Sequence, residues 1–93
     1  MNRVAITGAG IVSSLGNDLE AVKDSLLNGK SGIIFNESFK EKGLRSHISG
    51  NLNLDPIPLV DRKLLRFMGL ATAWGHIAMK QAVEQSGLTQ EQL

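Results

Sequence analysis

A cluster of cations in the second half of the chain has the clearest capacity for binding. Arg62, Lys63 and Arg66 stand within five positions, next to a single acid, Asp61. Arg62 and Arg66 are four residues apart, so a helix would place both on one face. Such a cluster can steer and orient an acidic protein partner, whereas it is too small for a nucleic-acid duplex. From composition alone, a solvated helix face is an equally good interpretation.

Two glycines near the N-terminus partly match a nucleotide-binding turn. Gly8 and Gly10 follow a short β-branched run, as in the dinucleotide fingerprint G-x-G-x-x-G. The third glycine is missing, because Ser13 stands at its position. The pair therefore predicts a tight turn after a strand, and a fragment of a nucleotide-binding oxidoreductase stays open as the weaker alternative.

A second glycine motif, Gly29-Lys30-Ser31, matches only the end of a phosphate-binding loop. That loop needs a glycine five residues earlier, where Asp24 stands. An aspartate would repel the phosphates, so this interpretation is rejected.

The chain has few residues that could act as a nucleophile or bind a metal ion. The chain has no cysteine, which excludes a disulfide framework, a thiolate zinc site and a cysteine nucleophile within it. His47 and His76 are the only histidines and lie too far apart for a helical metal pair. Ser13 or Ser14 could be drawn into a triad with either histidine, but most chains of this length allow that drawing. The histidines are therefore interpreted as ordinary structural residues.

Length and composition limit the class of protein. The 93 residues are 42% hydrophobic and 20% charged, which is typical of one small globular domain at most. Ten Lys and Arg against nine Asp and Glu give a net charge of +1, which argues against a general nucleic-acid binder or a polybasic membrane anchor. No apolar run is long enough to span a membrane or to form a signal peptide, so a cytoplasmic protein is expected.

The first half of the chain predicts a strand and a helix. Residues 3–7 read as a buried strand, since Val4 and Ile6 are apolar and β-branched. Residues 19–28 read as a helix capped by Asn17, with Glu20 as capping-box partner and Gly29 as its end. Its apolar stripe would be Leu19, Val22 and Leu26.

The rest of the chain predicts short elements and one long helix. A short apolar segment (31–35) and a helical turn or two closed by Gly43 (37–43) precede an irregular stretch or edge strand (44–54). Two prolines, at 56 and 58, exclude helix there. Residues 67–86 read as an amphipathic helix ending at Gly87, with Gly75 inside it marking the close approach of another backbone. Another turn of helix would start at 89–92. One strand cannot pair alone, so its partners must be weak strands here or chain outside these residues.

Four blocks, in order, resemble the β-ketoacyl-acyl carrier protein synthases. They are RVAITGAGIVSSLGN (3–17), GKSGI (29–33), DRKLLRFM (61–68) and the alanine-rich helix that runs to SGL (86–88). The stretch 43–61 is more similar to the type I than to the type II synthases.

The resemblance implies that residues 1–93 are an incomplete N-terminal segment of an α/β enzyme. The implied fold is the N-terminal half of a thiolase-like α-β-α-β-α layered sandwich. The implied activity is decarboxylative Claisen condensation of an enzyme-bound acyl group with malonyl-carrier protein, in a cytoplasmic homodimer and without metal or nucleotide cofactor. The family's catalytic cysteine, two histidines and lysine match no residue here, so no catalytic residue is assigned.

The resemblance does imply a docking site for a partner protein. Arg62, Lys63 and Arg66 match the basic patch that receives the acidic acyl carrier protein, loaded with an acyl or malonyl group. A noncatalytic carrier-protein-binding module stays open as an alternative. The segment alone is expected to lack activity and to fold poorly, because the apolar helix faces need a sheet to cover.

Overall fold

The computed structural model describes residues 1–93, which form two units. The first unit comprises residues 1–12 and 54–93, and the second comprises residues 13–53. The elements are α1 (Leu19–Leu27), β1 (Ile33–Phe35), α2 (Glu37–Glu41), β2 (Ile48–Gly50), α3 (Arg62–Leu65), α4 (Leu70–Ser86) and a 3-10 helix (Gln90–Gln92). This mixture of helix and strand confirms the expected class at its coarsest level. No helix has the length and apolar character needed to cross a membrane.

In the second unit, α1 begins at Leu19 as predicted, but its capping residue lies one position later than the sequence predicts. The cap is Asp18, whose Oδ1 accepts a hydrogen bond from Ala21 N at 2.8 Å. The predicted cap at Asn17 is therefore wrong, because Asp18 has the extended backbone (φ −154°) of a cap and directly precedes the first helical residue. The helix ends as predicted, with Gly29 in the left-handed region at φ +64°.

The buried face of α1 also differs from the predicted stripe. Val22 is buried, whereas the Leu26 side chain is 67% exposed. Ser25 takes the second buried position, three residues after Val22, and its hydroxyl donates to Leu15 O at 2.6 Å. That hydrogen bond makes a polar residue acceptable at a buried site.

The only sheet is an antiparallel pair of short strands. β1 and β2 pair with Ile33 opposite Gly50, Ile34 opposite Ser49 and Phe35 opposite Ile48. The predicted edge strand within 44–54 is thus confirmed. The helix α2 lies between the strands in sequence, and Gly43 follows it at φ +72°, as predicted.

In the first unit, α4 starts at Leu70 and not at Phe67. The extended Gly69 (φ −76°, ψ 170°) separates α4 from α3, and Phe67 lies outside both helices, 88% exposed. The end of α4 agrees with the prediction, since Gly87 has φ +68°. Ala73 and Ile77 of α4 are buried, as is Val60. The 3-10 helix at Gln90–Gln92 confirms the predicted last turn, and Thr89 N donates to Gln92 Oε1 at 2.8 Å at its start.

The predicted buried strand over residues 3–7 is wrong for this structure. The segment forms no strand, and Val4 and Ile6 are 92% and 91% exposed. A strand exists only through hydrogen bonds to a neighbour, and no other strand of the chain pairs with this segment.

The interpretation of Gly75 is also wrong. A Cβ added at Gly75 would meet no atom within 4 Å, so no backbone approaches it closely. The close approach is made instead by Gly8 and Gly10, where an added Cβ would collide with the carbonyl oxygens of Ala82 and Ala78 on α4.

Candidate functional site

The helix α3 carries the cation cluster and begins at a capping aspartate. Asp61 Oδ1 accepts a hydrogen bond from Lys63 N at 3.0 Å. Its carbonyl oxygen accepts from Leu64 N at 2.9 Å and from Leu65 N at 3.0 Å. One acidic residue therefore satisfies three backbone donors in the first turn, which fixes where the helix starts.

The helical turn places the two arginines on one face, as their spacing predicts. Arg66 retains a helical backbone (φ −56°, ψ −27°), and its N–H donates to Arg62 O at 3.4 Å. Arg62, Lys63 and Arg66 are all exposed and line a surface depression of about 380 Å³. These three residues are called the basic cluster below.

The basic cluster has no acidic partner within the chain. Its cations lie in no ion pair, and the ion pair that the chain does form joins Lys30 Nζ to Asp24 Oδ2 at 2.8 Å. The neighbouring Asp61 side chain is engaged by the backbone. The cluster is thus a group of three exposed cations without an acidic partner in the chain.

The remaining candidates occupy structural positions. Lys30 is held by Asp24, and the hydrogen bond from Lys30, followed by its charge, lowers the pKa of the Asp24 carboxyl. The His47 ring packs edge-on against Phe35, with centroids 6.0 Å apart. His76 is exposed on α4, and Ser13 Oγ accepts from Leu15 N at 3.2 Å.

The glycine pair does not form a nucleotide-binding turn. Such a site needs a helix that starts directly after the glycines, so that its N-terminus faces the phosphates. Neither a helix nor a tight turn begins at Gly8 or Gly10; the first helix starts at Leu19. The Gly8–Ile11 backbone is hydrogen-bonded to two glutamine side chains of α4 instead. Those glutamines were not among the predicted site residues, although their i, i+4 spacing places them on one face of α4.

Comparison with known proteins identifies the family. The model of the β-ketoacyl synthase N-terminal domain matches residues 1–93. The chain therefore belongs to the β-ketoacyl synthase family, through that family's N-terminal domain.

Individual relatives agree with this assignment. The chain is 47% identical, over all 93 residues, to 3-oxoacyl-[acyl-carrier-protein] synthase 1 of Haemophilus influenzae, and covers 23% of that protein. It is 47% identical over 91 residues (98% of the chain, 22% of the relative) to the synthase 1 of Escherichia coli. Similarity to synthase 2 of Vibrio harveyi is lower, at 34% over 87 residues (92% of the chain, 21% of the relative). The predicted resemblance to the type I group is confirmed, and the chain spans less than a quarter of the length of these relatives.

Proposed function

We propose that this chain is the N-terminal part of a fatty-acid-elongating β-ketoacyl-acyl carrier protein synthase. The reaction would join an acyl group held on an enzyme cysteine to malonyl-carrier protein. Loss of CO₂ from the malonyl group generates the enolate, which attacks the acyl thioester carbon and displaces the cysteine thiolate. The family match over the whole chain and the names of the relatives support this proposal.

These 93 residues would contribute framework and docking, and the reacting groups would come from elsewhere in the enzyme. The chain has no cysteine, and neither its histidines nor its lysines match the family's catalytic ones. We further propose that the segment belongs to the N-terminal half of a thiolase-like layered sandwich, in a cytoplasmic homodimer. The apolar side chains of Val4 and Ile6 are exposed, and their segment (3–7) has no partner strand. Both observations are consistent with a strand that other parts of the enzyme would cover.

The basic cluster is proposed to receive the acyl carrier protein. The observation that carries this step is the state of its charges: Arg62, Lys63 and Arg66 are exposed, close together and unpaired. A carrier protein is strongly acidic, so the signs are complementary. Exposed charge pairs are worth about 0.2–1 kcal/mol each, and such contacts chiefly set the rate and orientation of encounter.

Charge reversal in the complete synthase tests the docking role. Arg62→Glu with Arg66→Glu should lower kcat/KM for acyl- and malonyl-carrier protein by about tenfold, since attraction becomes repulsion. Turnover of a small acyl thioester without the carrier should be unchanged. The matched control is Lys40→Glu with Lys42→Glu, which makes the same change of charge at exposed cations of the second unit.

Two results would contradict the proposal in different ways. Equal loss on the carrier-bound and the small substrate would show that the cluster is structural and not a docking surface. An intact mass of 10.0 kDa for the protein as its gene produces it would exclude condensation by this chemistry, and only carrier-protein binding would remain.

A further inference from the structure

The Gly8-Ala9-Gly10 motif has a role in this structure that the condensation reaction does not explain. The backbone of residues 8–11 lies along α4 in the first unit. Ala9 N donates to Gln85 Oε1 at 2.7 Å, and Ile11 N donates to Gln81 Oε1 at 3.1 Å. Alternate backbone N–H groups are therefore bound by side chains one helical turn apart.

The spacing of the two elements explains why this arrangement works. Two residues of extended chain advance about 6.6 Å. Four residues of α-helix advance about 6 Å. Glutamines at i and i+4 therefore match N–H groups at j and j+2, provided that the two elements run antiparallel. The observed pairs, Ala9 with Gln85 and Ile11 with Gln81, have that direction.

The two glycines allow the backbone to come close enough. A Cβ at Gly8 would collide with Ala82 O and lie 2.9 Å from Ser86 N. A Cβ at Gly10 would collide with Ala78 O and lie 2.9 Å from the Gln81 Cβ. On α4, the small side chains of Ala78 and Ala82 allow the facing backbone to approach the helix closely. Both glycine positions thus face the helix with no space for a side chain.

We propose that α4 carries a main-chain recognition site for an extended Gly-x-Gly peptide, built from Gln81 and Gln85 over Ala78 and Ala82. The chain's own Gly8–Ile11 occupies this site in the structure. The site binds backbone N–H groups and has no space for side chains at two positions. The ligand it fits is therefore a peptide with glycine at alternate positions. The glycine pair is then a helix-docking motif and not a remnant of a nucleotide-binding turn.

Amide hydrogen exchange measured by NMR on the whole chain tests the hydrogen bonds directly. Gln81→Leu with Gln85→Leu removes both acceptors while keeping good helix formers. The amides of Ala9 and Ile11 should then exchange at least about tenfold faster. Gln81→Glu with Gln85→Glu keeps an oxygen acceptor at each site and should preserve the protection. Gln90→Leu, at an exposed position of the 3-10 helix, is the control.

The exchange experiment has decisive outcomes. Protection of the two amides that survives the Leu pair overturns the proposal, as does a lack of protection in the unmodified chain. If α4 itself loses protection in the Leu pair, the Glu pair decides: restored protection supports recognition by the acceptors, and continued loss overturns it.

A glycine substitution and a peptide test the ligand side. Gly10→Ala should expose the Ala9 and Ile11 amides, whereas Gly69→Ala should not, because a Cβ at Gly69 meets no atom within 4 Å. A synthetic peptide of residues 1–12, added to the Gly10→Ala chain, should shift the side-chain amide signals of Gln81 and Gln85. The same peptide with its own Gly10→Ala change should not. Absence of any shift with the unmodified peptide at millimolar concentration would contradict the proposal.

Discussion

Two basic regions of this chain use their charges differently. Lys30 lies 2.8 Å from Asp24, in an ion pair whose side chains are 61% and 58% exposed. The basic cluster stands next to an acid of its own, Asp61, yet forms no ion pair with it. The difference lies in what each carboxylate does, because Asp61 accepts a backbone N–H at the start of α3. Adjacency in sequence therefore does not imply neutralisation: Lys30 is paired with an acid, whereas the cations of the basic cluster are not.

The largest effect that would sharpen this comparison is salt dependence. Raising the ionic strength from about 0.05 M to 0.5 M shortens the screening length to a few ångströms. Because the basic cluster is exposed and unpaired, KM of the complete synthase for the carrier-protein substrate should rise several-fold, while KM for a small acyl thioester stays constant. Steady-state kinetics at matched pH would measure both, and a parallel rise of the two KM values would contradict docking through charge.

A medium effect is expected from the capping residue. Asp61→Ala removes the helix cap, which costs about 1 kcal/mol in typical cases and loosens the turn that holds the arginines together. Asp61→Asn changes the charge equally but keeps an acceptor oxygen. We expect carrier-protein affinity to fall with Ala and to rise about twofold with Asn. Surface plasmon resonance would compare them. Equal gains in both variants would show that local charge matters and the helical turn does not.

The smallest effect belongs to the Lys30–Asp24 pair. The pKa of Asp24 is lowered, first by the hydrogen bond from Lys30, so the pair stabilises the fold at neutral pH and loses that contribution as pH falls through the folded-state pKa. Lys30→Met should raise the NMR titration midpoint of Asp24 toward its ordinary value. Lys23→Met, at an exposed lysine of α1, the helix that carries Asp24, is the control.

The thermal midpoint should stay within error in the Lys30→Met variant, because exposed ion pairs contribute little. An unchanged Asp24 midpoint in Lys30→Met would remove the assigned cause. A large drop in thermal stability would make this pair structural and would weaken the contrast with the basic cluster.

Features that depend on local backbone physics could be predicted from the sequence. Gly29, Gly43 and Gly87 each follow a helix and adopt positive φ, as their positions indicated. A left-handed residue after a helix is a requirement of a few consecutive residues, and glycine meets it at little cost. The family resemblance was also readable, because the matching blocks are distributed along the whole chain.

Features that depend on a packing partner could not be predicted. Val4 and Ile6 have strand-like character, but a strand needs a neighbour, and none lies within the chain. Leu26 has the right periodicity for a buried stripe but is exposed. Ser25 is buried instead, and the hydrogen bond from its hydroxyl to Leu15 O makes that burial acceptable. Hydrophobic periodicity predicts which side chains share a helix face, but it does not predict what packs against that face.

One property of the candidate site could be predicted from the sequence, and another could not. The spacing of Arg62 and Arg66 indicated a shared helix face, which the structure confirms. That the cluster is unpaired followed only from the structure, since the carboxylate of Asp61 could have bound a side chain or the backbone. The contribution of Gln81 and Gln85 was missed because their partner is a backbone some seventy residues away.

The indole of Trp74 gives this chain a built-in optical probe. Trp74 is the only tryptophan, it is half-buried on α4, and its Nε1–H donates to Leu54 O at 3.0 Å. Fluorescence excited at the red edge of indole absorption therefore reports on one junction, where residue 54 meets α4. Release of that carbonyl would move the emission maximum to longer wavelength and increase access of a quencher such as iodide. The contact between residue 54 and α4 can thus be followed in the 93-residue chain without a label and in real time.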